Sequence, residues 1–157
     1  MPGDGPGQWP GAACKARPPG GGTRSFLRRR NHDTPGPRTP RQRAGDAAEA
    51  AACAKMQAAG CRILARNVRF REGEIDIVAD DGGTLVFVEV RMRRSDGFGG
   101  ADGSVDAFKR RRLVRAAQHF LLRQFGARTE LPPCRFDVIT ADGEGIRDWI
   151  RDAFAAD

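Results

Sequence analysis

After residue 44 the apolar positions fall into short stretches of helical or strand-like spacing, and the residues before it show neither. "AGDAAEAAACAKMQAAG", residues 44–60, is dense in alanine, the best helix former, and ends in glycine; it predicts a helix over about 46–59 that stops at Gly60. "CRILARNVRF", "GEIDIVAD" and "TLVFVEVRM" follow as three strand-like runs, and the last two form a hairpin turning at Asp81 and Gly82. Leu113, Ala116, Ala117, Phe120 and Leu121 line one face of a long helix that Ser104 or Asp106 caps and that runs to about Gln124. "CRFDVITA" is a fourth strand, and "IRDWIRDAF" reads as a short terminal helix. The predicted order is α-β-β-β-α-β-α, without an internal repeat.

Composition limits this pattern to one domain and a tail. A chain of 157 residues holds one ordinary core. Residues 1–40 contain eight Gly and eight Pro, too little apolar surface to offset ordering entropy, so residues 1–41 are expected to be a disordered tail before a domain at 42–157. Net charge is +7: residues 1–44 carry nine Lys/Arg against two Asp/Glu, and residues 45–157 carry eighteen of each. The excess therefore belongs to the tail, where Arg28, Arg29 and Arg30 either attract nucleic acid non-specifically or are part of a dispensable extension. No apolar run approaches the roughly 20 residues of a bilayer span, which makes a cytoplasmic protein with no membrane partner the default. Cys14, Cys53, Cys61 and Cys134 form no C-x-x-C pair, and His32 and His119 lack metal-ligand spacing; buried free thiols and no zinc site are expected.

The chemistry concentrates in the hairpin. Glu89 sits in a strand beside Leu85, Val86, Phe87, Val88 and Val90. With the turn at Asp81 and Gly82, Asp76 lies opposite Phe87 and Glu74 opposite Glu89, so Glu74, Asp76 and Val78 share a face with Leu85, Phe87, Glu89 and Arg91. Asp76 and Glu89 are then diagonal neighbours, roughly 6 to 8 Å apart along the backbone. Two carboxylates at that spacing can hold one hard divalent cation, since Mg²⁺ typically takes one or two carboxylates with water and phosphate oxygens. The spacing alone equally allows a solvated face on which Glu89 pairs with Arg91 or Arg93.

An Asp in one strand followed by E-x-K in the next strand of a hairpin is the signature of the PD-(D/E)XK nuclease superfamily, which this hairpin resembles. "ILARNVRFREGEIDIVADDGGTLVFVEVRMRRSDGFGG", with "VDAFKRRRL" and "RFDVI" downstream, more narrowly resembles the YraN-like family of uncharacterised bacterial proteins. The likeness covers about residues 42–154. It implies an α/β fold of the restriction-endonuclease-like, resolvase-like type, with an αβββαβ core and a mixed, mainly antiparallel sheet flanked by helices. It also implies that Asp76 and Glu89 bind Mg²⁺ or Mn²⁺ and that Glu49, on the first helix, supports the same metal. The superfamily's lysine position holds Arg91. Arginine stays protonated, so it can offset phosphate charge but cannot act as a base, and Lys109 is a candidate substitute.

The implied function is metal-dependent hydrolysis of phosphodiester bonds in DNA or RNA, with DNA favoured and branched DNA among the substrates. Glu49, Asp76, Glu89 and Arg91 would form the catalytic set. Arg93, Arg94, Lys109 and Arg112 would contact the nucleic-acid backbone, and Arg110, Arg111 and Arg115 crowd the same helix start. Phe98, in the glycine-rich "SDGFGGADG", would stack on a base or anchor its loop. The alternative is an inactive nucleic-acid-binding module, which the E-V-R string favours; a protein-interaction adaptor on the same fold is a third reading. Resolvase-like enzymes often act as dimers, so a homodimer is one expectation from the resemblance.

Overall fold

The computed structural model describes residues 37–93, 107–126 and 130–156. Two helices flank a five-stranded mixed sheet: α1 (Pro40–Ala58), β1 (Arg62–Phe70), β2 (Gly73–Asp81), β3 (Thr84–Met92), α2 (Ala107–Phe125), β4 (Cys134–Asp142) and β5 (Gly145–Phe154). The strands lie side by side in chain order, antiparallel except for the parallel β3–β4 pair. That pair requires a long crossover, and α2 lies on it. The mixed, mainly antiparallel sheet between helices agrees with the sequence reading and is consistent with an α/β nuclease-like core.

α1 begins earlier than expected, because Thr39 and Gln42 form a capping box and Pro40 fits the first turn, where no N–H is needed. It therefore includes residues 40 and 41, which the sequence reading gave to the tail. At its other end Gly60 has φ +92 and Cys61 N–H donates to the Met56 carbonyl, the glycine stop that was anticipated. Ala52, Cys53 and Met56 of α1 pack with Ile77, Ala79, Val86, Val88 and Ile139 on one face of the sheet. On the other face Leu113, Ala116, Ala117 and Phe120 of α2 pack with Ile75, Val78, Leu85, Phe87, Phe136, Val138 and Phe154. Phe87, Phe136 and Phe154 stack in a row there, with ring centroids 5.6 and 5.0 Å apart. Met56, Ile77, Phe87, Val88 and Ile139 are fully buried.

Three expectations are corrected. The C-terminal segment is a strand, not a helix: Ile146, Trp149, Ala153 and Phe154 have helical spacing, yet β5 pairs with β4 from Asp142↔Gly145 to Phe136↔Phe154. Register shifts at Phe136/Val138 and Thr140/Ala141 let Ile146 and Trp149 face α1 while Ala153 and Phe154 face α2. The hairpin turns at Gly82 and Gly83, with φ +59 and +97, so the pairing is Asp81↔Thr84 and Val78↔Phe87. This moves the register by two residues, which preserves the faces, because strand side chains alternate with period two. Finally, Cys134 is exposed, whereas Cys53 and Cys61 are buried as expected. The tail before residue 37, Cys14, His32, Arg94, Phe98, and the Ser104 or Asp106 cap lie outside the described residues.

Candidate functional site

At Asp76 the β2–β3 ladder opens. Paired residues run from Asp81↔Thr84 to Ile77↔Val88 and then stop. Ile75 packs into the α2-side core and Ile77 into the α1-side core, so the alternation is interrupted between them. Asp76 fills the opening. Its carboxylate accepts the backbone N–H of Val90 at 2.7 Å, which satisfies a buried donor that the ladder no longer reaches. Glu89, next in line on β3, is the residue that continued pairing would set against Asp76. The charge of Glu89 reaches Asp76.

Burial dominates the electrostatics of both groups. Asp76 is pushed up to about 7, first by desolvation and then by the charges of Glu89, Glu49 and Glu74, against the lowering effect of the Val90 N–H. Burial also raises Glu89; Lys109 is the first group holding it down, followed by Arg91, with Arg112 acting in the same sense. Only 19 % of the Glu89 side chain is exposed, and Arg91 Nε stands 4.0 Å from its Oε1. This weak contact does not neutralise the carboxylate in the manner of a close surface pair. α2 is fixed over the site by close packing: a Cβ on Gly73 would lie 2.5 Å from the Arg112 carbonyl oxygen, so only glycine admits the helix backbone there.

The other predicted residues are distributed around this pair. Glu49, on α1, accepts a 2.9 Å hydrogen bond from Asn67 and lies 3.8 Å from Arg66; its charge reaches Asp76. Arg93 pairs with Asp148 of β5 at 3.5 Å. Lys109 and Arg112 bring their charge to Glu89, and Arg112 also lies over the Phe108 ring. Among the described residues, no three or more His, Cys, Asp or Glu side chains are arranged to hold a metal ion together. The carboxylates that could act as donors to an ion there are Asp76 and Glu89. Two half-buried carboxylates, both raised by desolvation, have the chemistry of a site for one hard divalent ion, whose remaining positions water and phosphate oxygens would fill.

Three residues escaped sequence reading. Asn67 adopts φ 51, a conformation that asparagine tolerates, and holds Glu49 toward β2; the asparagine inside a strand run was the available signal. Gly73 stood only as the first residue of the strand run GEIDIVAD. Asp137 of "RFDVI" is fully buried and accepts hydrogen bonds from Arg135, from Trp149 Nε1 at 2.9 Å and from the Asp152 backbone N–H at 3.0 Å. Arg135 also bridges to Asp81 at 2.7 Å. This network fastens β5 to β4 where their ladder shifts, which gives Asp137 a structural role.

Comparison with known proteins places the same region in one family. The family described as "Uncharacterised protein family UPF0102" matches residues 48–141, which include Glu49, Asp76, Glu89, Lys109 and Asp137. A UPF0102 protein of Xanthomonas axonopodis pv. citri (strain 306) is 55 % identical over 120 residues, covering 74 % of this chain and 95 % of the relative. A UPF0102 protein of Paracidovorax citrulli (strain AAC00-1) is 50 % identical over 123 residues, covering 76 % and 87 %. Another, from Dechloromonas aromatica (strain RCB), is 48 % identical over 113 residues, covering 72 % and 89 %.

Proposed function

The chain belongs to the UPF0102 family, which is the YraN-like family, and from that premise we propose that its half-buried carboxylates Asp76 and Glu89 are the centre of a divalent-metal-dependent nuclease acting on DNA. The observation that carries this reading is the opening of the β2–β3 ladder at Asp76. There two carboxylates share a half-buried position flanked by the cations of Lys109, Arg91 and Arg112. A carboxylate in an apolar strand is costly unless it is paired or coordinated, and the 4.0 Å contact with Arg91 compensates little of that cost.

Asp76 and Glu89 would hold Mg²⁺ or Mn²⁺. When bound, such an ion polarises a phosphoryl oxygen and acidifies water in its shell. Asp76 is kept in place by the Val90 N–H, and Glu49, fixed by Asn67, acts on it through its charge and so is a positioning residue. Arg91 stays protonated and offsets charge that develops on the phosphate. Lys109 and Arg112 attract the backbone phosphates to the carboxylates, which alone would repel them. Among the described residues no helix is long and apolar enough to cross a membrane.

The second reading, a nucleic-acid-binding module without catalysis, is favoured by Arg91 at the usual lysine position. Both readings are tested with the full chain on labelled linear, single-stranded and branched DNA and RNA in Mg²⁺ or Mn²⁺. Cleavage that is lost in Asp76→Ala and in Glu89→Ala establishes the nuclease. Binding without cleavage under every condition establishes the module instead.

A further inference from the structure

The charge on α2 is divided between two flanks of the helix. At about 100° per residue, Lys109 and Arg112 turn toward β2 and β3, where Gly73 receives the Arg112 backbone and Glu89 feels both cations. Arg110 and Arg111 turn about 100° or more away from both and, with Val114 and Gln118 and with Arg115 on the outer face one turn beyond Arg112, line a groove of about 440 Å³ that reaches Ala155 beyond β5. Among the described residues, no carboxylate lines this groove. Arg110 is steadied over the Phe154 ring, 5.4 Å from its centroid, and Arg111 Nε donates to the Ala107 carbonyl at 3.3 Å. Arg111 and Arg115 are exposed and, among the described residues, make no ion pair. Elsewhere on the sheet Arg62, Arg66, Arg69, Arg93, Arg135 and Arg147 face a carboxylate, and Arg151 lies over the Trp149 ring.

We propose that this arginine-lined groove on the β5 flank of α2 binds the phosphodiester backbone of a second strand, so that the start of α2 lies between the two backbones of a DNA duplex. The strand at the carboxylates rests on the nuclease reading above; the groove is a separate surface. An α-helix with its side chains is about 10–12 Å across, and the major groove of B-form DNA is about 12 Å wide. Cations on both flanks of such a helix meet one backbone each. The major groove of A-form RNA is deep and narrow, so the same arrangement selects against duplex RNA. Guanidinium groups suit this task because their planar forks match phosphate oxygens two at a time.

The test is fluorescence anisotropy with the full chain in EDTA, which separates binding from any cleavage. Wild type and an Arg111→Ala/Arg115→Ala variant are titrated with a labelled DNA duplex and with one of its strands alone, over a range of salt concentrations. Both residues are exposed, and matching circular dichroism of the two proteins establishes that the variant is folded. The variant is expected to bind the duplex more weakly, with a log–log salt slope shallower by about two, and to bind the single strand almost as wild type does. Unchanged duplex binding, an equal loss on both substrates, or a wild type that binds no duplex overturns the proposal. A wild type that binds in this way but cleaves nothing in Mg²⁺ refutes the nuclease reading alone and leaves the groove assignment standing.

Discussion

Replacing Asp76 with asparagine should stabilise the metal-free fold above neutral pH. The carboxyl group is raised from 3.8 to about 7 by burial and by Glu89, Glu49 and Glu74, so the folded state prefers it protonated. The contribution is fully present below about pH 4 and is lost as pH rises through about 7. At about 1.4 kcal/mol per unit, the shift corresponds to at most about 4 kcal/mol at pH 8; partial exposure brings the expected effect to roughly 2–4 kcal/mol. Asparagine keeps an oxygen to accept the Val90 N–H and removes the charge, so it deletes the penalty without opening a cavity. The assay is urea unfolding of wild type and Asp76→Asn in EDTA from pH 5 to 9. Wild type should lose stability from pH 5 to about 7 and level off above that, and the variant should lose much less, its remaining slope coming from Glu89, which burial also raises. Saturating Mg²⁺ at pH 8 should restore wild type and leave the variant unchanged. Parallel pH profiles would refute the desolvation argument; recovery of both proteins by Mg²⁺ would refute the assignment of Asp76 as a ligand.

Four other outcomes follow from particular contacts. Gly73→Ala forces a Cβ against the Arg112 carbonyl and should cost about 1–3 kcal/mol in urea unfolding while weakening nucleic-acid binding, because α2 must move off the site; stability equal to wild type would contradict the close packing. Asp137→Ala strands the Trp149 Nε1–H, the Asp152 N–H and part of the Arg135 guanidinium and should cost about 3–5 kcal/mol, with Arg135 still held by Asp81; a loss below about 1 kcal/mol in thermal unfolding would show that the network is dispensable. Arg91→Lys introduces a compact cation and should raise the rate of DNA cleavage in Mg²⁺; a lower rate would show that the guanidinium itself is required. Asn67→Ala frees Glu49 and should reduce the cleavage rate with little effect on duplex binding, measured by gel assay and anisotropy in parallel; equal loss of both would make Asn67 a folding residue only.

Strong local signals made much of this molecule legible without coordinates. The alanine run ending at Gly60, the apolar stripe from Leu113 to Phe120 and the alternating hairpin strands each carry their own periodicity, and each became the element expected. The faces of the hairpin strands survived a wrong turn assignment, because the Gly82–Gly83 turn displaces the register by two residues and two is the period of a strand. β5 was illegible for the complementary reason. Its apolar spacing fits a helix, and only the shifts opposite Phe136 and Ala141, together with the Asp137 anchor, turn that spacing into a strand that serves both cores. Local sequence likewise does not encode the opening of the ladder at Asp76, the seat of α2 on Gly73, or the division of α2's cations between two flanks. Those depend on which distant backbones meet. The sequence by itself determined which residues carry charge and which way each short element alternates; tertiary structure decided where the chain stops pairing with itself, and in that gap the Asp76 carboxylate takes the Val90 N–H that the ladder leaves over.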